Sequence, residues 1–246
     1  MGNKLKEIHP TELINLIHHQ RYGVEYQPIV DIENNEIYAY EALSRFFDES
    51  YKTIPPDAVY SALHSRPLTL FQVEYQQKLI QLSAAPANEK IFINLDQDSY
   101  FSAASQETEN PFIKLFNSHT KNNITIELIE NSHINDAKMS LEMIKSLLSN
   151  HIQSAIDDVF GPLSMLSLEV IQYVDFIKLD KSIVHRKNDK RQIKLVEVLI
   201  DYSRFAKKKV ILEGIENQDE LNFARNLGDS YIQGFIFRDN FILHYN

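Results

Sequence analysis

Phe176-Ile177-Lys178-Leu179-Asp180, a helical pattern over residues 191–207, and then Lys209-Val210-Ile211-Leu212-Glu213 form the stretch on which the fold turns. A short apolar run, an amphipathic helix and a second apolar run are the sequence form of a strand–helix–strand unit. Repeated, such units build a mostly parallel sheet. The same pattern extends on both sides. Short apolar runs stand at 91–94, 124–127, 153–157 and 230–233, with helical patterns at 136–148, 163–171 and 217–226. Upstream, β-rich runs at 24–31 and 36–45 are separated by the turn-prone Glu33-Asn34-Asn35. That connection is too short for a parallel crossover, so an antiparallel hairpin is expected. Counting the hairpin gives eight strands, and the fold class predicted is α/β: a TIM-like (β/α)8 barrel with an antiparallel first strand.

The rest of the chain fits one unit. A lead-in helix at 11–20, within residues 1–22, takes Pro10 and Thr11 as its start signal. Helices are also expected at 57–65 and 68–83, and loops at 106–110 and 117–123. No Pro/Gly/Ser-rich linker interrupts the 246 residues, so a single domain over 1–246 is expected.

Composition excludes several chemistries. Cysteine is absent, which removes disulfides, thiolate catalysis and zinc–thiolate sites. Lys4, Lys6, Glu7 and Glu12 interrupt the first apolar positions, unlike a signal peptide, and no run approaches a membrane span. A cytoplasmic protein without membrane contact is expected. The formal charge of −9 argues against a DNA or RNA polymer as partner. It leaves phosphate chemistry open, because acids can hold metal ions that supply local positive charge. With only six glycines there is no glycine-rich phosphate loop.

The chemistry collects at strand ends, where a barrel of this class keeps its active site. Glu41, Asn94, Glu127, Asp157, Asp158, Lys178, Glu213 and Gln233 all close predicted strands. Alternation puts Asn94 on the face of Phe92, Glu127 on that of Thr125, Lys178 on that of Phe176 and Glu213 on that of Ile211. One acid at a strand end is usually a cap or loop residue. Seven strand ends in agreement point to acids and amides converging at one mouth. Oxygen-only ligation suits Mg²⁺, Mn²⁺ or Ca²⁺. Lys178 sits in a strand that should be buried, where a lysine needs an acidic partner. Gly214 and Gly234 allow either close backbone approach to a ligand or a tight turn. The nine histidines show no ligand spacing. Lys207-Lys208-Lys209 reads as a solvated helix end.

In this order the residues resemble the EAL domain family of cyclic di-GMP phosphodiesterases. Gln27-Pro28-Ile29-Val30-Asp31 resembles its opening motif, and Glu41-Ala42-Leu43-Ser44-Arg45 its name motif. Asn94, Glu127-Leu128-Ile129-Glu130, Asp157-Asp158, Lys178-Leu179-Asp180, Glu213-Gly214-Ile215-Glu216 and Gln233-Gly234 follow, over residues 24–239. The resemblance implies a phosphodiesterase converting cyclic di-GMP to linear pGpG with two Mg²⁺ or Mn²⁺ ions. Glu41, Asn94, Glu127 and Asp157 would hold the first ion and Asp158 would help with the second. Lys178 and Glu213 would position or activate the attacking water. Gln27, Leu43, Arg45 and Gln233 would contact the dinucleotide, and Glu130 would tether the loop after the aspartates. A homodimer is also compatible with the family.

Three departures stand out. The loop usually written DDFGTG reads Asp157-Asp158-Val159-Phe160-Gly161-Pro162. Glycines before the name motif are missing, and Asp239-Asn240 replaces the proline usual after the final motif. The altered loop keeps a second reading open, a weak or inactive domain acting as a cyclic di-GMP receptor or protein-interaction module. Carboxylates with a lysine on successive strands also describe metal-assisted proton abstraction in enolase-type barrels, which the antiparallel hairpin and Arg45 fit poorly.

Overall fold

The predicted hairpin turns on its own polar residues. The computed structural model describes residues 8–102, 110–129, 134–162, 164–228 and 230–246. Helix α1 (Pro10–His18) leads into β1 (Tyr22–Asp31) and β2 (Ile37–Phe47). Between the strands Asn35 takes left-handed backbone, φ 59°, and the Asp31 N–H donates to the Glu36 carbonyl at 2.9 Å. Asparagine tolerates that conformation, and β2 returns antiparallel with Glu41 opposite Gln27.

The chain continues through β3 (Thr53–Ile54), α2 (Pro56–Leu63), α3 (Pro67–Ser83) and β4 (Lys90–Asn94). Helices α4 (Gln97–Ser102) and α5 (Pro111–Ser118) precede β5 (Asn123–Ile129), α6 (Ile134–Ser149) and β6 (Gln153–Val159). Then come α7 (Leu168–Tyr173), β7 (Phe176–Leu179), α8 (Ser182–His185), α9 (Lys190–Phe205) and β8 (Lys209–Leu212). The described chain ends with α10 (Gln218–Leu227), β9 (Tyr231–Gln233), a 3-10 turn (Phe235–Asn240) and β10 (Ile242–Tyr245). Strands β2, β4, β5, β6, β7, β8 and β9 pair in parallel in that order, and β1 closes the ring antiparallel to both β2 and β9. This is the expected eight-stranded barrel with an antiparallel first strand.

Strand alternation builds the interior in two layers. Ala39, Phe92, Ala155, Phe176, Ile211 and Tyr231 pack in the barrel as an apolar plug, with the rings of Phe92 and Phe176 4.9 Å apart. Two residues further along the same strands, one pleat higher, stand Glu41, Asn94, Asp157, Lys178, Glu213 and Gln233. Thr125 and Glu127 repeat the pattern on β5. Ile29 and Gln27 repeat it backwards on β1, as an antiparallel strand must. Side chains of opposite parity, such as Ile91, Ile93, Ile126, Leu128, Ile177 and Leu212, pack outward into the larger core beneath the helices.

Elements missed by sequence reasoning raise a rim around the mouth. The β2–β4 pairing covers Tyr40–Ala42, and the β1–β9 pairing covers Ile29–Asp31. Beyond these the hairpin rises as two strands, with β10 on the outer edge of β1 and β3 on the end of β2. Both edge strands are short and were not foreseen. The helix expected at 163–171 begins later, at Leu168, because Ser167 caps it by accepting the Val170 N–H at 3.3 Å. Leu163 lies outside the described residues.

Candidate active site

Lys178 occupies the centre of the polar layer. Its buried Nζ lies 2.7 Å from Glu213 Oε1, 2.9 Å from Glu127 Oε1, 3.1 Å from Asp157 Oδ1 and 3.4 Å from Glu41 Oε2. Two amides fix Glu41 from opposite sides: Asn94 Nδ2 donates to Oε1 at 2.9 Å and Gln233 Nε2 to Oε2 at 2.6 Å. The Asn94 carbonyl oxygen is thereby left for another ligand. Gln233, expected to contact the dinucleotide, donates its amide N–H to Glu41.

Asp157 and Asp158 sit where β6 is irregular. Its register with β7 shifts between Ile156 and Val159, and Asp158 and Phe160 both take left-handed backbone, φ 56° and 66°. Such a bulge re-aims side chains, and left-handed backbone is an outlier for a residue as bulky as Phe160. Asp158 is the more exposed of the two and Asp157 is half-buried. The glycines are close to the chain itself rather than aimed at a ligand. A Cβ on Gly234, at φ 158°, would stand 2.1 Å from the Ile215 carbonyl oxygen, and one on Gly214, at φ 75°, 2.3 Å from Lys181 Cβ. Ile215 donates its N–H to the Gln233 carbonyl at 3.1 Å, lacing the loop that carries Glu213 to the end of β9.

Five carboxyl groups face one ammonium, and the imbalance sets the electrostatics. Burial works against ionisation of Glu41, but Lys178 and hydrogen bonds including those from Gln233 and Asn94 hold it below the usual carboxylate range. Burial pushes Glu127 well up, with the Glu41 charge adding to the effect. Burial likewise raises Asp157 and lifts Glu213 to about 8. Asp158 rises to about 6 through burial and the neighbouring Asp157. Lys178 stays well above its ordinary value because its four carboxylates outweigh its own desolvation.

The residues fit divalent cations. Oxygens of Glu41, Glu127 and Asp157 lie within 4.8 Å of one another, and so do those of Asp157, Asp158 and Glu213. Asp157 belongs to both groups, an arrangement suited to two ions sharing one carboxylate. Glu127 is fully buried and its Oε2 has no hydrogen-bond partner, a costly state for a carboxylate unless a cation or proton meets it. A third group, His64, Asp96 and Asp98, lies apart from this layer, with His64 Nε2 3.3 Å from Asp96.

The rim brings Gln27, Leu43 and Arg45 together, all half-buried. Glu25, unnoticed in the sequence, joins them: its Oε1 takes Arg45 NH2 at 2.6 Å and Gln27 Nε2 at 2.8 Å. Its position two residues before Gln27, on the same strand face, was the available signal. Also missed was the polar stripe Glu74, Gln77, Lys78 and Gln81 on the buried face of α3. Gln81 Nε2 donates to the Ala42 carbonyl at 2.7 Å and Gln77 Nε2 to that of Arg45 at 3.4 Å. Glu74, paired with Lys78 at 3.0 Å, accepts the Asp96 N–H at 3.1 Å. Where β2 has outrun its pairing with β4, side-chain amides replace the ladder. Glu130 lies outside the described residues.

The pattern of the EAL domain family matches residues 11–239. The chain belongs to the EAL domain family. Similar proteins of Escherichia coli K12 include the "Probable cyclic di-GMP phosphodiesterase PdeB", 27% identical over 220 residues, covering 87% of this chain and 42% of PdeB. "Cyclic di-GMP phosphodiesterase PdeL" is 26% identical over 221 residues, covering 86% of this chain and 60% of PdeL. The chain therefore spans about half the length of the curated relatives it matches. Among solved structures, an EAL domain protein from Listeria monocytogenes EGD-e superposes with a TM-score of 0.73 at 22% identity, covering 94% of this chain and 92% of that one. The Bacillus subtilis YkuI protein, described with an EAL domain in complex with substrate c-di-GMP and calcium, gives 0.76 at 19% identity, over 93% and 56%. These structures share the EAL barrel. No helix among the described residues is long and apolar enough to cross a membrane.

Proposed function

We propose that this EAL domain is a divalent-cation-dependent phosphodiesterase that opens one ester of cyclic di-GMP to give linear pGpG. The observation that carries this reading is the pair of overlapping carboxylate groups sharing Asp157 above an apolar barrel plug. Glu41, Asn94, Glu127 and Asp157 would hold one Mg²⁺ or Mn²⁺, and Asp157, Asp158 and Glu213 a second. When bound, such ions stabilise charge on the phosphodiester and acidify water. The chain's own groups do the rest. Gln233 and Asn94 orient Glu41. Lys178 holds the Glu213 carboxyl at 2.7 Å, and Glu213 in its ionised form accepts a proton from the attacking water. Gln27, Leu43 and Arg45 on the rim contact the dinucleotide, with Gln233 completing that wall. The chain works as one EAL domain in the cytoplasm. A homodimer would appear as twice the chain mass in solution.

A second reading is favoured by one observation, the strained loop in which Asp158 and Phe160 both hold left-handed backbone before Pro162. A domain that binds cyclic di-GMP without cleaving it needs no second cation there. The test is a chromatographic time course of cyclic di-GMP with pure protein and Mg²⁺ or Mn²⁺, with Glu41→Ala alongside. Appearance of pGpG with the wild type alone supports the enzyme. Binding that resists chelator, with no product at high protein concentration, assigns the chain to the receptors.

A further inference from the structure

On the rim, a single carboxylate oxygen already holds both donors that the proposed function gives to the dinucleotide. We propose that Glu25 is a resident anion that competes with the ligand for Arg45 and Gln27 and so sets the affinity of this domain, an inference that rests on the cyclic di-GMP reading. Glu25 Oε1 lies 2.6 Å from Arg45 NH2 and 2.8 Å from Gln27 Nε2. Charge-assisted bonds of this length are the strong ones. The pair is also partly shielded, with side-chain exposures of 18% for Arg45 and 21% for Glu25.

The geometry separates competition from support. Arg45 does not depend on Glu25 for its place. Its NH1 donates to the Ser44 carbonyl at 2.9 Å, and its own carbonyl accepts from Gln77 at 3.4 Å. Removing the Glu25 charge leaves the guanidinium anchored and frees the donors that now end on Oε1. A phosphate or guanine oxygen that takes the same NH2 donor displaces that oxygen. The displaced carboxylate then stands beside a dianionic ligand, in a mouth that already holds Glu41, Glu127, Asp157, Asp158 and Glu213. Both effects oppose binding. The free protein is thus held mainly in a state whose rim is self-occupied, and apparent affinity falls with the fraction that is open.

Glu25→Gln keeps the size of the side chain and removes its charge. Binding of cyclic di-GMP is measured by calorimetric titration with Ca²⁺ present, for the wild type, Glu25→Gln, Arg45→Ala and the double variant. The expected result is affinity about tenfold tighter for Glu25→Gln and weaker for Arg45→Ala, with the two changes non-additive in the double variant because Glu25 and Arg45 contact each other. Unchanged or weaker binding by Glu25→Gln, with Arg45→Ala still weakened, overturns the competition while leaving the function standing. If Arg45→Ala binds like the wild type, the rim assignment itself fails and the inference fails with it. Thermal unfolding confirms that each variant is folded, and Glu25→Ser repeats the test if Glu25→Gln is not.

Discussion

Lys178 on β7 and Glu213 just beyond β8 meet at 2.7 Å in an ion pair whose ammonium is shared with three further carboxylates. The lysine is the internal cation of the polar layer, and its removal leaves acids from four other strands facing one another. Lys178→Met should destabilise the protein by about 3–5 kcal/mol in chelator, the scale of a buried charge left without its partner. Added Mg²⁺ should restore part of that loss. Urea unfolding in the two buffers decides, and an equal loss in both would contradict this account.

The same crowding predicts an inverted pH dependence of stability. Without divalent ions Glu213 holds its proton up to about 8 and Asp158 up to about 6. In the unfolded chain such carboxyls titrate near pH 4. Between those limits the folded state binds more protons than the unfolded, so stability falls as pH rises through the window. The unfolding midpoint in chelator should drop by several degrees from pH 6 to 8.5, at about 2–4 °C per kcal/mol for a chain of this size. A midpoint that climbs over that range would refute the prediction. Cation binding should release protons and tighten as pH rises toward 8.

Gln233→Leu removes the 2.6 Å hydrogen bond to Glu41 Oε2 without changing the acid itself. Groups that orient a metal ligand are worth about 10–100-fold in metal affinity. Calorimetric titration with Mn²⁺ should show a weakening of that order with the fold intact. Wild-type affinity would place Glu41 under the control of Asn94 and Lys178 alone.

Gln81→Leu tests the side-chain ladder beneath the rim. It strips the buried Ala42 carbonyl of its 2.7 Å donor. The expected loss is about 1–3 kcal/mol, the penalty for an unsatisfied buried group. Gln77→Leu, losing a 3.4 Å bond, should cost less. Chemical denaturation measures both, and the reverse order would contradict the proposed division of labour.

Much of the barrel is legible in the sequence. Turn residues at 33–35 forced the antiparallel hairpin, and strand–helix alternation supplied the remaining parallel strands. Most of the polar layer was readable because its members stand two residues from another inward side chain on the same strand, a local relation. Edge strands β3 and β10 were not legible, since two and four residues carry too little periodicity. Glu25 carried no motif that would single it out. The stripe on α3 reads as a solvated helix face unless its orientation toward β2 is known.

The amino-acid order by itself determined the succession of elements and which side chains share the inner face, because pleat alternation depends only on neighbours along the chain. Only the closed barrel decided which of those side chains touch. Gln233 reaches Glu41 across 192 residues because β1 pairs with both β2 and β9, and Lys178 gathers acids from four other strand ends. Shifted proton affinities, the self-occupied Arg45 and the bulge at Asp158 follow from that non-local closure, which burial and distance create and residue order alone does not specify.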